Sequence, residues 1–144
     1  MSEMPSPPNE ASALLGAFVG FEGLAPAVLE EVLAASAHVE LVTGEPLVNQ
    51  GDPADTVDLL LEGAAQVRVT GRDAPQVIAQ IEAPDQIGEM GVLHGHPRTA
   101  SVVATSRCLV LRIPADVYRR TVAARPFLPY DLQHLIEGRL RDDA

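Results

Sequence analysis

The chain has no tryptophan, no lysine and a single cysteine, and only 3% of its 144 residues are aromatic. Each scarcity excludes something. A lone cysteine rules out an intrachain disulfide framework, and Cys108 sits inside an apolar run, where it reads as a small buried residue rather than a nucleophile. With so few rings, an apolar content of 47% must come from Val, Leu, Ile and Ala, so the core is aliphatic. No apolar run approaches the roughly 20 residues of a membrane-spanning helix. The N-terminus is rich in Pro and Ser and carries acidic residues, unlike a signal peptide. These absences point to a soluble, cytoplasmic domain. All ten basic residues are arginine; a GC-rich coding sequence accounts for that, and no function is read from it.

Positive charge is also scarce, with 20 acidic residues against 10 basic and a net charge of −10. Residues 1–97 carry a net −13 and residues 98–144 a net +3. Affinity for DNA rests on neutralising phosphates, so the overall sign argues against nucleic-acid binding. The small basic excess begins at Arg98. The length fits one domain, and a domain of this size buries about 70% of its unfolded surface without a metal or disulfide staple.

The chain divides into helix, strand and helix regions. Residues 1–10, with Pro5, Pro7 and Pro8, read as a disordered lead, and residues 11–144 as one domain. Helical patches are expected over Ala11–Val19 and Pro26–Ala37, the second opened by Pro26 in its first turn. From about 38 to 113 short strands alternate with turns: Val39–Thr43, Val57–Leu61, Gln66–Thr70, Gln76–Ile81, Ala100–Thr105 and Cys108–Ile113. Such spacing favours a sandwich or barrel. Helical periodicity returns over about 114–141. One helix opens at Pro114 and closes before Pro126; the next runs from Leu128 to Arg141 with Leu132, Leu135, Ile136 and Leu140 on its apolar stripe.

The stretch Gly88-Glu89-Met90-Gly91-Val92-Leu93-His94-Gly95-His96-Pro97-Arg98-Thr99-Ala100 combines a glycine turn, a carboxylate, a short helix-compatible run and an arginine behind a proline. Backbone N–H groups at a helix start can cradle a phosphate. An arginine adds a charge-assisted fork, and a carboxylate can accept a hydrogen bond from a sugar hydroxyl. Together they suit a ribose-phosphate anion. By order alone, Glu89 and Arg98 could equally close the loop as a mutual salt bridge.

The stretch resembles the phosphate-binding cassette of the cyclic nucleotide-binding domains, the family of the catabolite activator protein and the protein kinase A regulatory subunits. The resemblance extends over roughly residues 20–125. Phe21-Glu22-Gly23-Leu24 resembles the start of the family's N-terminal helix. Gly44 to Asp55 resembles its first hairpin, and Leu59–Gly63 with Gln66–Val69 its next strand pair. It implies a mainly β fold with flanking α: an eight-stranded, jelly-roll-like β-roll with N-terminal helices, a short cassette helix and C-terminal helices.

The resemblance also assigns roles. Glu89 would bind the ribose 2′-hydroxyl and Arg98 the cyclic phosphate. Gly88 and Met90 would approach the nucleotide with backbone atoms, and Thr99 would reach the phosphate or the purine. Cyclic AMP is the expected ligand, with cyclic GMP as the second. The other purine contacts would come from the last helix, where Tyr130, His134 and Arg141 are the polar or aromatic candidates and the sequence does not choose among them. Ile87, Asn49 and Asp58 depart from the family's usual Phe, Arg and aromatic residue, and Gly91 stands where many relatives carry Ala, loosening the short helix by up to about 1 kcal/mol.

These features imply a stand-alone cyclic nucleotide sensor that is not an enzyme. It would signal through an unidentified protein partner, without nucleic acid or membrane, and its C-terminal helices offer a homodimer surface. Two alternatives stand beside it. One is an interaction module that keeps the β-roll but has lost nucleotide binding. The other is a cupin-type metalloenzyme using His94 and His96, for which no third ligand lies nearby in sequence.

Overall fold

The computed structural model describes residues 15–123 other than 17, 19 and 73. Helix α1 (Pro26–Ala35) is followed by β1 (Ala37–Leu41), β2 (Pro46–Val48), β3 (Thr56–Glu62), β4 (Ala64–Val69), β5 (Gln76–Glu82) and β6 (Asp85–Ile87). Then come α2 (Glu89–His94), β7 (Ser101–Ala104), β8 (Cys108–Pro114) and α3 (Ala115–Thr121). The expected mainly β architecture is present: eight strands form two four-stranded antiparallel sheets, ordered β1-β8-β3-β6 and β2-β7-β4-β5.

Period-two alternation explains how the layers stack. On β3, Val57 and Leu59 face the helices, while Leu60 faces the opposite sheet; on β8, Leu111 and Ile113 face the helices, and Cys108 and Val110 point inward. Both faces of these two strands are therefore buried. That is why β3 reads Val-Asp-Leu-Leu-Leu rather than as an alternating surface strand. The helix-side core takes Phe21, Val32, Tyr118 and Val122, each at most 1% exposed. Burying such a side chain contributes about 1.5–3 kcal/mol. The inner core is aliphatic, as the composition requires, and holds the buried Cys108.

Helix α1 starts with Pro26 in its first turn and buries Leu29 and Val32. It stops two residues short of the expected end: Ser36 is its C-cap, and the chain enters β1 at Ala37. Strand β2 falls inside the hairpin that the resemblance places over Gly44 to Asp55, but neither it nor β6 is among the strands read from alternation; each has three residues. That is too short for alternation to register, and β2 opens on a proline. The disordered lead, most of the Ala11–Val19 helix and the whole Leu128–Arg141 helix lie outside the described residues, as do Tyr130, His134 and Arg141. Leu15 and Phe18 are described, and both are buried in the helix-side core. Among the described residues no helix is long and apolar enough to cross a membrane.

Candidate functional site

The link from β6 to β7 makes the site. Gly88 caps α2 with φ 92°, a left-handed conformation that only glycine adopts cheaply. A Cβ built there would run into Nη1 of Arg98 and stand 3.2 Å from the Thr56 carbonyl. The turn therefore needs glycine twice, for its backbone and for the arginine packed on it. Gly91 is also held by packing. A Cβ there would come within 2.6 Å of the Ala54 Cβ and 3.1 Å of the His96 carbonyl, a reason beyond the helix propensity considered from sequence.

Arg98 is gripped from several sides. Its N–H donates to the Asp52 carbonyl (2.9 Å), and its carbonyl accepts from the Gly51 N–H (2.8 Å). These two bonds pin the arginine main chain to the β2–β3 loop. In the side chain, Nη2 donates to the Thr56 carbonyl (2.8 Å) and hydroxyl (3.2 Å), and Nη1 reaches the Gly88 carbonyl at 3.4 Å. Only 8% of Arg98 is exposed, and Glu89 (4%) and Met90 (6%) are similarly buried. Thr99 is exposed.

All five residues singled out from sequence, Gly88, Glu89, Met90, Arg98 and Thr99, line one open cleft. Val48, Val67 and Ile81 form its apolar wall. An anion meeting the arginine and a flat apolar group meeting the aliphatic wall is a chemically sensible occupancy.

Five neighbours were not singled out as site residues. Thr56 holds Arg98. Asp58 and Arg112 are register partners across β3 and β8, with Arg112 Nε 3.7 Å from Asp58 Oδ1. Asp58 is fully buried. Loss of hydration raises its carboxyl pKa to about 6, although Arg112 and Arg98 favour the charged form. On the other face, Gln86 Nε2 donates to the Tyr118 hydroxyl at 3.2 Å. Burial first, and the nearby Glu89 charge second, push the Tyr118 pKa up to about 12. One signal for Asp58 was available: a charge in the middle of an apolar strand run. Its pairing with Arg112 depends on register 54 residues away and has no local trace.

His94 and His96 stack with ring centroids 6.2 Å apart, and His96 lies on the cleft wall. Among the described residues no group of three or more His, Cys, Asp or Glu side chains is placed to hold a metal ion.

Residues 38–125 match the family model of the cyclic nucleotide-binding domain. The chain is 38% identical over 93 residues to the acetyltransferase Pat of Mycolicibacterium smegmatis, which covers 65% of this chain and 28% of that protein. It is 23% identical over 122 residues to a CRP-like cAMP-activated global transcriptional regulator of Mycobacterium tuberculosis, covering 84% of this chain and 54% of that one. It therefore spans about half or less of the length of these relatives. The sensor domain of the transcriptional regulator DNR from Pseudomonas aeruginosa shares the fold at a TM-score of 0.79 and 24% identity, covering 92% of this chain and 90% of that one. The chain belongs to the cyclic nucleotide-binding domain family.

Proposed function

We propose that this member of the cyclic nucleotide-binding domain family takes cyclic AMP, and more weakly cyclic GMP, into the cleft between Glu89 and Arg98. In this reading Arg98 binds the cyclic phosphate, Glu89 the ribose 2′-hydroxyl, and Gly88 and Met90 offer main-chain groups. Thr99 serves the phosphate or the purine. The observation that carries the reading is the buried Arg98 guanidinium, set against left-handed Gly88 at the cleft that all five residues line. The protein acts as a regulatory sensor rather than an enzyme, in the cytoplasm. It passes its signal to a protein partner rather than to nucleic acid or membrane, and the residues after α3 supply a homodimer contact. Residues 11–144 form the unit.

Transmission starts where α3 meets the cassette. Arg119 donates from Nε (3.3 Å) and Nη2 (3.1 Å) to the Val92 carbonyl in α2, and Tyr118 accepts from Gln86 just before the cassette. A ligand that shifts α2 therefore acts on α3 directly. The response is a population shift, which requires the nucleotide to favour one α3 arrangement over the other.

The test is an equilibrium titration with cyclic AMP and cyclic GMP, on wild type and Arg98→Ala. Saturable binding by wild type and loss of it in a folded variant is expected, because truncating one partner of a charge-assisted pair costs about 2–5 kcal/mol. Equal affinity in both proteins would overturn the site. Absence of binding in wild type would favour the second reading, an interaction module in which Arg98 only clamps the cassette. The bonds Arg98 already makes to Thr56 give that reading its support.

A further inference from the structure

The main chain of Arg98 hangs on the β2–β3 loop. Its N–H and carbonyl are bonded to Asp52 and Gly51 there, so the guanidinium is placed only as well as that loop is placed. The loop starts from a weak anchor. Strand β2 is a sheet edge of three residues that opens on Pro46, and it pairs with β7 alone, with a register shift between Pro46 and Val48. Such a strand has few ladder bonds to hold it in place. A tie from the other sheet adds one: Nη2 of Arg112, on β8, donates to the Leu47 carbonyl at 2.8 Å.

Arg112 is held in turn. Asp58 is its register partner on β3, and Asp58 Oδ1 stands 3.7 Å from Arg112 Nε. Both Asp58 oxygens and Arg112 Nε are buried with no hydrogen bond of normal geometry among the described residues. Each charge therefore offsets the burial of the other. A guanidinium is a planar fork whose donors point in fixed directions, so the attraction at Nε sets where Nη2 points. Arg98 and Arg112 line one cleft together with Leu47, Asp52 and Thr56, which sets the tie, the loop and the cassette arginine side by side. A buried ion pair is a poor source of stability, and burial raises the Asp58 pKa to about 6. What this pair supplies is position.

We propose that Arg112 is a positioning residue for the cassette: braced by Asp58, it ties β8 to β2 and so fixes the β2–β3 loop that carries the Arg98 main chain. Its effect on ligand affinity rests on the cleft being the nucleotide site. Its effect on the loop does not.

The experiment joins amide hydrogen exchange of the ligand-free protein to cyclic AMP titration, at pH 7.5, on wild type, Arg112→Met and Asp58→Asn. The amides of Gly51 and Arg98 should exchange about tenfold faster or more in both variants, as expected for the loss of one charge-assisted bond. The comparison is made relative to Leu59 and Leu111 in the β3–β8 ladder, whose amides report global stability. Affinity for cyclic AMP should fall by a similar factor. Asp58→Asn separates position from stability. It removes a carboxylate whose burial is costly, so it should resist urea at least as well as wild type while its loop loosens and its binding weakens. If Arg112→Met does not fold, Asp58→Asn alone decides. Wild-type exchange at Gly51 and Arg98, or an affinity loss that only follows global stability, overturns the proposal. So does a loosened loop with wild-type affinity, because the loop then does not place Arg98. A loosened loop in variants of a protein that binds no nucleotide at all upholds the tie and sinks the nucleotide reading alone.

Discussion

Gly88 and Arg98 occupy each other's only room: a Cβ on the glycine would overlap Nη1 of the arginine. Their contact fixes the cassette in one shape, since Nη1 also reaches the Gly88 carbonyl at 3.4 Å.

Gly88→Ala should therefore be more than a turn mutation. The left-handed backbone costs an alanine about 1–2 kcal/mol, and the added methyl must push the guanidinium away from Thr56. A lowered denaturation midpoint together with weakened cyclic nucleotide binding is expected. Unchanged binding in a destabilised variant would show that Arg98 can move without consequence for the ligand.

Asp58 predicts a stability profile. Its folded pKa is raised from 3.8 to about 6, so the folded state holds the proton more tightly than the unfolded one. The favourable contribution is complete below about pH 3.8 and is lost as pH rises through 6. A shift of this size corresponds to about 3 kcal/mol. Measured by urea denaturation from pH 4 to 7.5, wild type should lose stability relative to Asp58→Asn across that window. A difference that does not vary with pH would contradict the burial of a titrating carboxyl.

Glu89→Gln should weaken nucleotide binding less than Arg98→Ala, because the role proposed for Glu89 is reading a hydroxyl rather than matching a charge. It should also reduce discrimination against 2′-deoxy nucleotides. An unchanged ratio of 2′-deoxy to parent affinity would remove Glu89 from the ribose role.

Much of the fold was legible because β-rolls announce themselves locally. Gln66–Thr70 alternates cleanly, Glu62-Gly63 marks a turn, and Pro26 opens a helix. Strands β2 and β6 escaped because three residues carry no period, and they form only through partners on β7 and β3. The grouping of Gly88, Glu89 and Arg98 was visible because they lie within 11 residues of one another. The shell behind them was not. Thr56 meets Arg98 across 42 residues, and Asp58 faces Arg112 only through sheet register. An apolar run with one acid in it says that something neutralises the charge, but not what.

Thr99 is exposed on the cleft wall, which leaves its hydroxyl available to a ligand in the proposed site. Two uses compete. A bond to the guanine amino group would favour cyclic GMP; a bond to the cyclic phosphate would serve either nucleotide. One neutral hydrogen bond contributes only about 0.5–1.5 kcal/mol, so Thr99 alone changes preference by no more than about tenfold. In the proposed site the partner of Arg98 is the phosphate of either nucleotide, so its contribution would cancel from the comparison. Competition titration of wild type and Thr99→Ala should therefore isolate the hydroxyl. Selective loss of cyclic GMP affinity would place it on the base. Equal loss for both nucleotides would place it on the phosphate, leaving purine discrimination to residues outside the cassette. No change for either would remove Thr99 from the ligand contacts.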